Sequence, residues 1–449
     1  MRPAITCYGG VHEIGGNKIL VTDRDTSVFL DFGKSFSEGT DYFGAGIQPR
    51  QVNGAGDLFE FGLLPEIPGL YSEDALQNTA LRHTKPEVDA VILSHYHTDH
   101  FDRISYLDKE IPVFCGATTE LISKAAESSG GCPLEGHRIS PFRTGGRFTV
   151  GSLEVVPIHV DHSIPGAYGF IVHTSGGTVA YTGDFRFHGH AGSLTDDFVR
   201  GAAAERPDVL VTEGTRVRED DPKERTDERT VAEETYRVLR DCQRLAFSSF
   251  RGNDIDRVNS FQEASARSGR TLVVSMKTAA ILKELGKDPG LKVPRVGSDV
   301  KVYVKRKKSG KIDDKDYRRW ERSFLGSGVT AQEVKKKQRE VFLHLDVWNF
   351  PEIIDISPER GGMYIHSSSE AFNEEGEKEE TVVRNWIEHL GFSYHQIHAS
   401  GHAPMSEVKG LVEAIDAKVV VPVHTEHPEL FRDFAKRVVE PQKGSAIPV

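Results

Sequence analysis

His95, His97, Asp99 and His100 fall within six residues, one position after the apolar run Ala90-Val91-Ile92-Leu93. Side chains two apart in an extended segment share a face, so His95 and His97 can hold one metal ion while Asp99 and His100, at the turn that follows, address a second. Imidazole nitrogen suits zinc, and a carboxylate among neutral imidazoles offsets part of the charge of a dinuclear centre. The chemistry implied is metal-dependent hydrolysis.

Such a centre needs more donors than one motif supplies, and they must come from distant strand ends. His162 follows a strand expected over 153–160 and completes the first set with His95 and His97. Asp184 ends a strand expected over 178–182, where a carboxylate can bridge both ions. His424 follows the expected strand Val419–Val423 and completes the second set with Asp99 and His100, with His427 a close competitor.

Short apolar runs alternating with helical patterns supply the α/β scaffold that positions these side chains. Further strands are expected over 18–21, 28–32, 169–172, 363–365 and 394–397. The pair 169–172 and 178–181 reads as a hairpin whose turn, Ser175-Gly176-Gly177, uses glycine for positive φ. From about Thr230 longer charged helical patterns over 231–243, 277–285 and 330–345 mark a second domain.

An apolar share of 38% over 449 residues can fill more than one core, so two or three domains are expected. No apolar run reaches about 18 residues, and Met1-Arg2-Pro3-Ala4-Ile5 lacks the layout of a secretory signal, so a cytoplasmic protein with no membrane partner is expected. Cys7, Cys115, Cys132 and Cys242 form no Cys-x-x-Cys pair and read as reduced thiols. The formal net charge of −11 argues against a chain that coats nucleic acid nonspecifically. A polyanion must meet a local patch, and the basic stretch 301–339 is the candidate, although Asp313, Asp314, Asp316, Glu321 and Glu333 make it equally a solvated charged face. Tyr303, Tyr317 and Trp320 beside it either stack on bases or belong to a core.

The run 95–100 resembles the His-x-His-x-Asp-His motif of the metallo-β-lactamase fold, and the long interval between Asp184 and His424 resembles the β-CASP nucleases, which carry an inserted domain there. Gly9-Gly10-Val11-His12-Glu13-Ile14-Gly15, His162-Ser163-Ile164-Pro165 and Ile397-His398-Ala399-Ser400-Gly401-His402 are similar to segments of the ribonuclease J family. The resemblance implies an α/β fold: a metallo-β-lactamase αββα sandwich over 1–213, an inserted α/β β-CASP domain over 214–391 and a closing part of the sandwich over 392–449. It implies two Zn²⁺ per chain, or Mn²⁺ in the same mixed set, held by His95, His97, Asp99, His100, His162, Asp184 and His424. It assigns catalysis to His402 and Glu213 with Asp99: the carboxylate orients the imidazole and raises its pKa, and the imidazole acts as general acid. His398, Ser400 and Gly401 would hold a phosphate next to the scissile one, with His366-Ser367-Ser368-Ser369 adding donors.

RNA is the implied partner, because His424 resembles the RNA-cleaving members where the DNA-repair branch typically has valine. The implied activity is hydrolysis of RNA to 5′-phosphate and 3′-hydroxyl ends, chiefly 5′-to-3′ with internal cutting as a second mode, in RNA processing or decay. Asp256-Arg257, ahead of a helix over 258–266, resembles the inserted domain and reads also as an ion pair. There are departures. Phe101-Asp102-Arg103 stands where relatives carry small residues, His12 replaces a glycine, and the segment 44–71 is long enough for a lid or an interface. The chain runs 25 residues past His424, like the shorter archaeal form, which leaves the assembly open between a single chain and a homodimer. A small-molecule hydrolase acting on a lactone or thioester, and a non-catalytic scaffold of an RNA-processing complex, are the competing readings.

Overall fold

The computed structural model describes residues 2–37, 39, 42–43, 46–131, 134–221, 226–368 and 374–449; Gly44, Cys132 and Ser369 lie outside them. Two sheets face each other. One runs in the order Ala446–Pro448, Ala4–Gly9, Lys18–Asp23, Thr26–Leu30, Ala90–Leu93, Val113–Gly116, Ile139–Phe142. The other runs Val419–Val423, Val209–Glu213, Thr178–Tyr181, Tyr168–His173, Leu153–His159, Phe148–Val150. Alternate residues point inward, so Ile19, Val21, Val28, Leu30 and Ile92 of the first sheet meet Val155, Phe170, Val172, Val211 and Val421 of the second. Helices Ser193–Glu205 and Met405–Ile415 cover the outer face of the second sheet, placing Phe198, Val408 and Leu411 on Ile171, Leu210 and Val420.

Between Glu213 and Val419 the chain builds a third sheet, wholly parallel, in the order Val300–Val302, Thr271–Val274, Val341–His344, Ala246–Ser249, Met363–His366, Ser393–Gln396. Parallel strands need helical crossovers and bury both faces, which accounts for their continuous apolar runs. Helices Glu228–Asp241 and Ile255–Arg267 pack on one face through Val231, Leu239, Val258 and Phe261. Ile353, Ile356, Val383 and Ile387 cover the other. The fold is therefore α/β: a two-sheet sandwich with helices outside and an inserted α/β layer.

The helix expected over 330–345 is a correction. Thr330 and Glu333 form a capping box that starts the helix Ala331–Lys336, but Val341–His344 is a fully buried strand. Its unbroken Val-Phe-Leu run suits a central parallel strand, and helical periodicity does not separate the two cases. The hairpin over 168–181 forms, yet neither Gly176 nor Gly177 has positive φ. Room is the reason for glycine here: a Cβ at 176 would lie 2.8 Å from Pro3 Cγ, and one at 177 would lie 2.4 Å from Asp208 Oδ2. Tyr303 and Tyr317 are buried in the core, and Trp320 packs half-buried against it. Cys7, Cys115 and Cys242 are buried, and Cys7 and Cys242 carry free thiols. No helix of the described residues is long and apolar enough to cross a membrane.

The turn after Thr26–Leu30 locks onto the metal motif. Phe32 N donates to His100 O at 2.7 Å and Lys34 N to Thr98 O at 3.0 Å, with Gly33 pressed between them. A Cβ on Gly33 would fall 1.7 Å from the Asp99 carbonyl oxygen, a contact only backbone displacement can relieve. Gly33→Ala is expected to cost about 1–3 kcal/mol or more and to displace Asp99 and His100. Thermal unfolding and metal titration check this, and an unchanged Tm with normal metal uptake would contradict it.

Candidate metal centre

All the proposed ligands lie at the C-terminal ends of strands along one edge of the sandwich. Thr178–Tyr181, Val209–Glu213 and Val419–Val423 are parallel neighbours, so Asp184, Glu213 and His424 emerge side by side. Leu153–His159 delivers His162, and Ala90–Leu93 delivers His95, from the same edge. A short helix, Thr98–Phe101, then turns Asp99 and His100 inward. This is where parallel strand ends habitually form sites.

The donor atoms converge into two groups sharing Asp184: His95, His97, His162 and Asp184, and Asp99, His100, Asp184 and His424. His427 is exposed and pairs with Glu429, so His424 is the histidine that joins them. His97 Nδ1 lies 3.1 Å from His95 Nε2 and 3.0 Å from His162 Nε2. Asp184 Oδ2 lies 3.6 Å from His95 Nε2, 3.1 Å from His100 Nε2 and 3.7 Å from His424 Nε2. A tetrahedron with Zn–N bonds of about 2.0–2.1 Å has edges of about 3.3 Å, so these spacings fit ligands around an ion. Asp184 Oδ1, fully buried, has no hydrogen-bond partner, and a second cation is what such an oxygen lacks. The residues of both groups fit divalent cations, with Asp184 common to the two.

Electrostatics divide the two groups. Burial holds His95 and His162 well below the usual imidazole range and His97 down at about 3, so the first group presents neutral nitrogens. In the second, burial also opposes charge but is outweighed: Asp184, Asp31 and Asp99 push His100 up, and Asp184 and Asp99 push His424 up to about 9. Against burial, the same histidines hold Asp99 and Asp184 below the carboxylate range.

Asp31 is the residue that sequence reasoning missed. It is buried with φ 60°, outside the ordinary range for a non-glycine residue, and its Oδ2 accepts from Ser94 Oγ (2.7 Å), His100 Nδ1 (2.8 Å) and Tyr181 OH (2.7 Å). Ser94 Oγ in turn accepts from His95 Nδ1 at 3.0 Å. Each contact fixes a tautomer that leaves Nε2 for the metal. The available signal was a charged residue closing the apolar run Val28-Phe29-Leu30. His162 Nδ1 donates to Gly401 O (2.6 Å), and His424 Nδ1 meets Thr215 Oγ1 (2.7 Å).

Glu213 and His402 stand at the rim. His402 Nδ1 is 3.0 and 3.1 Å from the two Glu213 oxygens, which also accept from Phe185 N and Thr215 N. The imidazole lies 3.9 Å from Asp184 and retains 21% of its surface, whereas Glu213 is buried. The expected phosphate residues are engaged with the protein: His398 Nδ1 faces Arg257, and Ser400 Oγ accepts from His402 N. A Cβ at Gly401 would lie 2.9 Å from Ser163 Oγ and 3.1 Å from His162, so glycine there allows close approach to a ligand histidine. His366 Nδ1 meets Tyr364 OH, and Ser367 Oγ donates to Ile397 O.

Residues 67–246 match the model of the beta-lactamase superfamily domain, and residues 392–446 match that of the Zn-dependent metallo-hydrolase RNA specificity domain. A ribonuclease J of Sinorhizobium meliloti is 25% identical over 81% of this chain, of which the chain covers 62%. One of Helicobacter pylori is 24% identical over 95% of the chain, and the chain covers 56% of it. A ribonuclease J 1 of Streptococcus pyogenes is 24% identical over 94%, with 68% covered. A crystal structure of a protein of unknown function from Enterococcus faecalis superposes with TM-score 0.76 at 22% identity, over 100% of both chains, which shows the shared fold. The sandwich, the inserted sheet and the two domain matches define a metallo-β-lactamase-fold protein with an inserted α/β domain. Within that class the chain is ribonuclease J-like.

Two outcomes follow. Asp31→Ala should weaken the ion at Asp99, His100 and His424 by ~10–100-fold, read by chelator competition, and unchanged affinity would refute the role given to Asp31. Metal entering the second group must displace protons from His100 and His424, so its affinity should rise with pH through about 9, where His424 gives up its proton. The first group, with His97 at about 3, should show no such rise above pH 6. Metal calorimetry at several pH values separates the two.

Proposed function

We propose that this chain is a metal-dependent ribonuclease that hydrolyses phosphodiester bonds to 5′-phosphate and 3′-hydroxyl ends, with two Zn²⁺ as resident ions and Mn²⁺ as a substitute. The proposed ligands are His95, His97, Asp99, His100, His162, Asp184 and His424. When bound, such ions polarise the phosphoryl group and lower the pKa of water. The names of the relatives and the RNA specificity model support RNA as the substrate.

The observation that carries the reading is the Glu213–His402 pair at the rim of the buried cluster. With Nδ1–H committed to Glu213, His402 presents Nε2 as the proton carrier, in the relation a general acid requires. It delivers that proton to the departing 3′ oxygen as the P–O3′ bond breaks and water oxygen joins phosphorus, which leaves phosphate on the 5′ end. Glu213, fixed by two backbone N–H groups, keeps the ring oriented. A lactone or thioester hydrolase would need the metals without this pair.

Action chiefly 5′-to-3′, with internal cutting as a second mode, in the cytoplasm, completes the reading. Ile47, Val52 and Phe61, exposed on the segment 46–71, support pairing of two copies. Light scattering at the mass of one chain would refute that pairing. His402→Ala should lower kcat on RNA by ~10²–10⁴-fold with both ions retained, and chelation should abolish turnover. On 5′-labelled RNA, the monophosphate substrate should release mononucleotides first. Full RNA cleavage by His402→Ala, or cleavage in excess chelator, would overturn the proposal.

A further inference from the structure

The loop Ile397-His398-Ala399-Ser400-Gly401-His402 belongs to no helix or strand beyond Gln396, yet each carbonyl from Ala399 to His402 is held by a side chain from elsewhere. Arg257 Nη2 donates to Ala399 O at 2.9 Å, Arg186 Nη1 to Ser400 O at 2.9 Å, and Arg216 Nη1 to His402 O at 3.1 Å. Gly401 O accepts from His162 Nδ1 at 2.6 Å. His188 Nε2 also meets Ser400 O at 3.0 Å, so three guanidiniums and two imidazoles fix four successive peptide groups, and His402 ends the series.

Arg186 and Arg257 are fully buried, which is tolerable only with carboxylate partners. Glu228 supplies both: its Oε1 lies 3.0 Å from Arg257 Nη2 and 3.4 Å from Arg186 Nη1. The ion pair suggested by adjacency does not form between Asp256 and Arg257; Asp256 instead pairs with Arg186 at 2.6 Å. Arg257 and Glu228 belong to the inserted layer, in the first turns of Ile255–Arg267 and Glu228–Asp241, whose N-termini are capped by Asp254 and Asp227. Arg186 and Arg216 flank the centre itself. The contacts to Ala399 O and His398 Nδ1 therefore carry the geometry of the inserted layer into the loop.

We propose that Arg257, braced by Glu228, is a positioning residue of the inserted domain that sets where His402 stands over the metal centre. This rests on the proton-donor reading of His402. Arg257→Lys keeps the charge and loses the fork that reaches Glu228, Ala399 and His398 together. A displacement of about 1 Å in an acid can cost ~10²-fold in rate.

The test compares RNA with a p-nitrophenyl phosphodiester of a nucleotide, whose nitrophenolate leaves without needing a proton. Arg257→Lys should lower kcat on RNA by ~10–10²-fold, change the nitrophenyl ester less than ~3-fold, and retain its metal content. Combined with His402→Ala it should add no further loss on RNA, because both changes remove one function. Equal losses on both substrates, or losses that multiply in the double variant, would overturn the positioning role while leaving the nuclease reading intact. If wild-type enzyme or His402→Ala treats the two substrates alike, the proton-donor reading fails instead. Should Arg257→Lys not fold, Glu228→Gln is read the same way. Failure of both to fold assigns the network to stability and refutes the proposal.

Discussion

A carboxylate sealed among imidazoles is the constraint on which this molecule depends. Asp184 is 1% exposed, and its Oδ2 lies within 3.9 Å of nitrogens from His95, His100, His162, His402 and His424. Such a charge is stable inside a protein only when opposite charge surrounds it, and two of those imidazoles are pushed toward their protonated form to provide it. Divalent ions would satisfy the same requirement better, because the unpartnered Oδ1 offers them a further donor. The two sheets exist, in this sense, to bring strand ends together at that oxygen.

Around this centre the structure is layered by chemistry. Asp31, Ser94, Thr215 and the Gly401 carbonyl occupy the inner nitrogens of the ligating rings, so the ring faces toward the ions are set before any ion arrives. Beyond them, buried arginines replace ordinary secondary structure in holding the loop that ends in His402. The inserted layer is thereby part of the site and more than an appendage to it.

Much of this was legible in the sequence, for identifiable reasons. The motif 95–100 is local, and donors at the ends of clear apolar runs, such as Asp184 after Thr178–Tyr181 and His424 after Val419–Val423, advertise themselves. Asp31 did not, because a single carboxylate after a strand has no spacing partner and its three donors come from residues 94, 100 and 181. The pairing of Arg257 with Glu228, 29 positions away, was hidden by its neighbour Asp256, since adjacency along a helix does not tell which carboxylate a side chain faces. The strand Val341–His344 was lost to a helix because a short apolar run beside a charged helix carries both periods. The hairpin was read correctly from its glycines for the wrong cause, since van der Waals room, invisible before folding, is what they provide.

Anomalous diffraction at the zinc edge on crystals of the zinc-loaded protein tests the central claim most directly. Two peaks roughly 3.5–4 Å apart, with Asp184 between them, His95, His97 and His162 on one and Asp99, His100 and His424 on the other, are the result this account requires. A single peak, or a pair that leaves Asp184 without a metal contact, would contradict it.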